Sequence, residues 1–186
     1  MVEIGKRLQI KNRFTDEVIF SGKAASMGAL MEWAVSLEVD LSESVLIGVN
    51  LAKARLSGAR LALADLTQAN LAGADLTGAY LAGAKLISAD LYGANLRKIN
   101  LSGADLSDCN LGSANLAWAH LAMADLSEAN LTKANLFGAN LTGANLFEAI
   151  LNNVNLIGAS LEGASLIGTR LAGANMEWVT GVESDT

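Results

Sequence analysis

The chain has 186 residues and a formal net charge of −6, a length suited to one domain. The negative balance argues against nucleic acid or an anionic membrane as a direct partner. A single cysteine, Cys109, excludes an intrachain disulfide and suits a reducing compartment, the cytoplasm. Behind Met1-Val2-Glu3-Ile4-Gly5-Lys6-Arg7 there is no apolar stretch of the secretory kind. No run of 18 apolar residues occurs anywhere, so neither export nor a membrane span is expected.

Residues 1–38 carry five acids and five bases and read as an N-terminal cap. Leu8 to Phe14 alternates in polarity, Thr15-Asp16-Glu17 is turn-like, and Val18-Ile19-Phe20 is β-rich, which predicts a hairpin. Met27, Leu30, Met31, Ala34 and Val35 then follow helical spacing, with Ser26 as the N-cap. The apolar face of that helix is expected to cover whatever follows it. Trp33 lies at the edge of the face and reads equally well as buried or exposed.

From Leu41 to Leu171 leucine returns at every fifth residue, 27 times without a skip, and Met176 holds the next place. Neither a helix nor a strand has this period, so the pattern marks a repeat architecture. Alanine stands two residues before the leucine (Ala64, Ala74, Ala94), Asp or Asn one before it (Asp65, Asn70, Asp75), and glycine often two after it (Gly73, Gly78, Gly83). The unit is A-(D/N)-L-x-x. In an extended segment residues two apart share a face, so Ala and Leu point inward together and the Asp/Asn points outward. The chain then turns, and glycine supplies the positive φ of a type II turn.

This unit resembles the pentapeptide-repeat family over residues 39–180. The resemblance implies an all-β solenoid, a right-handed quadrilateral β-helix with four repeats per coil. Its 28 centres then make about seven coils, roughly 34 Å tall at strand spacing. Cys109 takes an alanine site and is expected to be buried and unreactive. Asn95, Asn115, Asn135, Asn155 and Asn175 recur at 20 residues and are expected to ladder on one face, their amides bonding to each other or to nearby backbone. Lys98, Asp108, Ser113, Trp118, Met123, Glu128 and Lys133 replace the turn glycine. Such residues disfavour positive φ, so a different turn type is expected across 98–133, with Trp118 and Met123 exposed.

Catalysis needs convergent groups, and the sequence assembles none. It has one histidine, His120, at an outward position, and no nucleophile–base pair, phosphate loop or metal-spaced cluster. No enzyme activity, cofactor or metal is expected. Placing residues modulo 20 instead gathers Asp105, Asp108, Asp125, Glu128 and Glu148 on one face over three coils, with Lys85 the nearest base along that face. Phe147, Ile150 and Ile167 lie at its end; Phe137 and Ile157 stack on another face. These eight residues, five carboxylates and three apolar side chains, are the candidate surface for a basic protein partner. The carboxylates read first as a solubilising face, then as this docking surface, and last as a weak divalent-cation site.

Residues 181–186 form an acidic tail with Glu183 and Asp185. Little follows Met176 to cap that end, so pairing of two chains there is expected, and a monomer at tens of micromolar would exclude it. Two functions follow: a non-catalytic rod that binds a protein partner, or, as the resemblance also implies, a DNA mimic that inhibits or protects a type II topoisomerase.

Overall fold

The computed structural model describes residues 5–182. The predicted hairpin comprises β1 (Lys6–Lys11) and β2 (Val18–Ala24), paired antiparallel from Lys6↔Ala24 to Lys11↔Val18 with an irregularity at Ile10/Lys11. Its turn is closed by Asn12, whose Oδ1 accepts the amides of Phe14 (2.8 Å) and Thr15 (3.1 Å). Helix α1 (Met27–Ser36) starts at Ser26, whose Oγ accepts the Ala29 amide at 3.1 Å. Leu30, Met31 and Ala34 of α1 are fully buried and join the core of the repeat region. Trp33 stays half-exposed and meets Phe20 edge-on, 5.2 Å between ring centroids. It lies across Gly22, where any Cβ would overlap the indole.

The hairpin also continues the repeat region by hydrogen bonding. Arg13 donates its amide to the Glu43 carbonyl (2.7 Å), and Val45 donates to the Lys11 carbonyl (2.9 Å). The backbone edge of the first coil is therefore partly covered, which removes a template for edge-to-edge association.

Residues 39–180 wind with a register of 20. Parallel bridges join Asn70 to Asp90, Asn95 to Asn115 and Asp105 to Asp125, and so on along each column. One leucine donates its amide forward and the Asp/Asn beside it donates back, as in Leu51 to the Asn70 carbonyl (2.7 Å) and Asn70 to the Val49 carbonyl (2.9 Å). The centre leucines from Leu41 to Leu161 are fully buried, and so are the alanines two residues before them; Ile99, Cys109 and Val154 take such alanine sites. Burying each leucine contributes about 1.5–3 kcal/mol before chain entropy is subtracted.

The turns correct one expectation. The second residue after every centre, from Glu43 to Trp178, has positive φ, including Lys98 (57°), Asp108 (59°), Trp118 (62°), Met123 (59°) and Lys133 (61°). The positive φ of the other turns thus persists through 98–133. Two hydrogen bonds clamp this peptide whatever its side chain. The leucine carbonyl accepts from the next alanine, and the turn amide reaches the following coil, as Trp118 does to the Phe137 carbonyl (2.8 Å). The side chain then bears a left-handed backbone at about 1–2 kcal/mol.

The far end differs from the first. Leu166, Leu171 and Met176 are only half-buried. Among the described residues, the amides of Leu171, Gly173, Met176 and Trp178 have no acceptor, whereas Leu151, Asn153, Leu156 and Gly158 one coil earlier all do. The tail acids Glu183 and Asp185 lie outside the described residues.

Candidate docking face

The middle residue of each side of the coil, Asp or Asn in most repeats, is less outward than its alternation suggests. Asp105 accepts from the Ser107 amide (3.1 Å) and hydroxyl (2.7 Å); Asp125 accepts from the Ser127 amide (2.9 Å) and from Asn145 Nδ2 (3.0 Å). Both are half-buried. Each carboxylate thus closes its own turn, an Asx arrangement that recurs at Asp65, Asn130 and Asn155. The remaining carboxylates, Asp108, Glu128 and Glu148, stand in the turn column and are exposed. No ion pair among the described residues involves any of the five; the three that exist are Lys11–Asp16, Arg55–Glu32 and Arg60–Asp40.

The eight candidates therefore divide. Asp108, Glu128 and Glu148 form an open ladder at coil spacing. Phe147 (39% exposed) and Ile167 (70% exposed) stand beside its end in the neighbouring turn column, and Ile150 is half-buried around the corner. The fold brings five of them into one strip and turns Asp105, Asp125 and Ile150 partly inward.

Other residues singled out in the sequence have plain positions. The Asn ladder runs through Nδ2–Oδ1 bonds from Asn115 to Asn95 (3.5 Å), Asn135 to Asn115 (3.3 Å) and Asn155 to Asn135 (3.0 Å), while the Oδ1 of Asn115 and that of Asn135 also take a turn amide. Cys109 is buried and donates its thiol to the Leu86 carbonyl (2.8 Å). Burial pushes that thiol up to about 12, so it stays protonated at neutral pH. His120 is exposed. Among the described residues no three His, Cys, Asp or Glu side chains are grouped to hold a metal ion, and no helix is long and apolar enough to cross a membrane. A groove of about 380 Å³ between the start of α1 and the first coil is lined by Ser26, Glu32, Asn50 and Lys53, and contains none of the candidates.

One feature escaped the sequence reading. Trp118 and Phe137 meet edge-on at 5.2 Å between centroids. They sit in neighbouring turn columns, so sorting by 20 separates them. A spacing of 19 is one coil up and one step sideways, and that is the signal that finds the pair.

The pattern of the family described as Pentapeptide repeats matches the chain in eight copies over residues 37–62, 64–103, 99–138, 109–146 and 149–180. The chain belongs to the pentapeptide-repeat family. Its rod is accordingly the right-handed quadrilateral β-helix of that family. It is similar to HetL, a pentapeptide repeat protein involved in heterocyst differentiation regulation from the cyanobacterium Nostoc sp. strain PCC 7120: 30% identity over 73% of this chain and 81% of that one, TM-score 0.50. Rfr23 from the cyanobacterium Cyanothece 51142 shares 42% identity over 49% of this chain and 58% of its own, TM-score 0.42. QnrB1, a plasmid-mediated fluoroquinolone resistance protein, shares 17% over 73% and 90%, TM-score 0.38. No curated protein matches the sequence.

Proposed function

We propose that this pentapeptide-repeat protein is a non-catalytic interaction module of the cytoplasm. It is a rigid rod of about seven coils, carrying no cofactor, that binds a protein partner through the strip of Asp108, Glu128, Glu148, Phe147 and Ile167. One observation carries this reading: an unpaired carboxylate ladder runs directly into exposed apolar side chains, on a wall whose other carboxylates are spent on closing turns. Such a strip suits a basic contact surface with an apolar centre, since charge orients the partner and the apolar end supplies contact area. HetL's involvement in the regulation of differentiation is in keeping with a protein that acts by contact.

The test is a paired variant, Glu128→Lys with Phe147→Asp, compared with the parent by quantitative cross-linking in source lysate and by binding to each captured protein after purification. Both substitutions are at exposed turn positions, so the folded spectrum should be retained. A partner weakened about tenfold or more supports the strip; an unchanged bound set removes it.

Topoisomerase inhibition by DNA mimicry is the weaker reading. Duplex DNA carries a charge per about 1.7 Å of axis. The open ladder here offers one carboxylate per coil, about 4.8 Å, over three coils. A supercoiling assay with purified gyrase decides it: inhibition near stoichiometry would revive the mimic.

A further inference from the structure

Over three coils, between Asp75 in the coil before and Glu162 in the coil after, the two halves of the rod wall differ in charge. Residues 94–103, 114–123 and 134–143 stack on one another and contain no Asp or Glu. They carry Arg97 and Lys98, both exposed and in no ion pair among the described residues. The intervening segments 104–113, 124–133 and 144–153 hold all five clustered carboxylates against Lys133 alone. On the acid-free half, one coil beyond the two bases, Trp118 is 47% exposed and edge-on to Phe137. Met123, 71% exposed, stands in the next turn of the same coil, with exposed His120 between them.

Nothing in the core requires Trp118 or Met123. Both occupy left-handed turn positions (φ 62° and 59°), where glycine fits without strain and fills many of the other repeats. Both lean over a glycine of the following coil. A Cβ on Gly138 would come within 2.6 Å of the Trp118 ring, and one on Gly143 within 2.5 Å of Met123 Sδ. Each large side chain thus has a vacant seat beneath it, which lays it against the wall. The same seating recurs for Leu63 over Gly83 and Asn153 over Gly173. What sets Trp118 and Met123 apart is their size and exposure on an acid-free stretch next to Arg97 and Lys98.

We infer that this acid-free half is a second docking surface, and that its occupant is a short acidic segment of a partner protein with apolar anchors. The anchors lie on Trp118, Phe137 and Met123, and the carboxylates face Arg97 and Lys98. Charge complementarity selects this occupant over a basic one. A nucleic acid strand also offers charge and stacking, but a long polyanion leaves the patch and enters the field of a rod of net charge −6. A short segment experiences the local cations, because longer-range repulsion is screened within about 8–10 Å. The surface is separate from the acidic strip, so the rod can join two partners of opposite charge.

The chain has three tryptophans, and Trp33→Phe with Trp178→Phe leaves Trp118 as the sole reporter. This protein is titrated with a ten-residue peptide of Glu and Ser bearing two Leu, with the same peptide bearing Lys for Glu, and with a thymidine decamer. The acidic peptide is expected to shift Trp118 emission saturably and to bind about tenfold or more tightly than the other two. With a fluorescein-labelled acidic peptide, Trp118→Gly and the pair Arg97→Ala, Lys98→Ala each weaken binding about tenfold, while Glu128→Gln leaves it unchanged. Trp118→Gly should keep or raise the thermal midpoint, because glycine relieves the turn, so loss of binding is not loss of fold. Equal binding of the two peptides, preference for the decamer, or full binding by Trp118→Gly overturns the inference.

Discussion

Ser44 occupies an inward site that alanine fills in most other repeats, and its hydroxyl is fully buried with no hydrogen-bond partner. A buried polar atom left unpaired costs about 1–3 kcal/mol. Ser44→Ala restores the repeat and removes the orphan, so it should raise unfolding free energy by roughly 1 kcal/mol or more in urea melts; an unchanged or lowered midpoint would mean the hydroxyl has a partner in solution. Cys109 shows the opposite case at the same kind of site. Its thiol finds the Leu86 carbonyl, and a buried neutral thiol suits the narrow interior. Both residues were legible as inward from the period alone. Their hydrogen bonding was not, because it depends on which carbonyl lies within reach, that of Leu86 in the preceding coil for Cys109 and none for Ser44 in the first coil.

At the scale of the five-residue unit, the Asp/Asn position serves the turn before it serves the surface. Asp75 shows this fully: it accepts from Thr77 Oγ1 (2.6 Å) and its amide (3.1 Å), from Ser57 Oγ (2.7 Å) and from Asn95 Nδ2 (3.1 Å). The Thr77 hydroxyl, more than Ser57 or Asn95, holds this carboxyl below its usual 3.8. A depressed folded pKa means the charged form is favoured by folding. Its contribution is complete above the unfolded value and is lost as pH falls through the lower, folded one. Asp75→Asn keeps an acceptor but does not titrate there. Its midpoint should therefore fall less steeply than the parent's on acidification below about pH 4. Asp40, through Ser42 and Arg60, and Glu32, through Arg55, are lowered in the same sense, so the slope flattens without vanishing. Identical slopes would show that the network does not discriminate between the charged and neutral carboxyl. The turn position itself was misjudged from sequence because residue preference for φ is a matter of about 1–2 kcal/mol, and two backbone hydrogen bonds per turn outweigh it.

Across the whole molecule, stability is a sum of coils and their contacts with neighbours. Leu111 is fully buried with coils on both sides, whereas Leu171 belongs to the half-exposed last coil. Leu111→Ala should cost about 3–5 kcal/mol, the range for a closed core that cannot collapse, and Leu171→Ala less than half of that. Equal losses in chemical denaturation would show that the far edge is covered in solution. The same rod keeps its surfaces apart. A register of 20 puts like side chains into columns, and the stiffness of the stacked turns fixes which columns neighbour each other. The turns bearing Trp118 and Met123 and the turn bearing Glu128 are therefore different corners of the coil, although acid-free and acidic segments alternate every ten positions along the chain.

The interior, the N-terminal hairpin and helix α1 were determined by the sequence itself, and the 20-residue register was implied by its resemblance to the family. The five-residue period admits one alternation of inward and outward residues, and Ser26 with its apolar helix spacing marks α1. With that register the Asn ladder was readable from Asn95 to Asn155, but Asn175, in the half-exposed last coil, makes no such bond to Asn155. The tertiary structure alone decided which outward residues are free. Asp105 and Asp125 fold back onto their turns, Asp108, Glu128 and Glu148 do not, and Trp118 leans over Gly138 to meet Phe137. The reason is physical: the period sets the direction in which each Cβ leaves the backbone, but a side chain's final place depends on the hydrogen bonds and space offered by its own turn, two residues on, and by the next coil, 19 to 21 residues away.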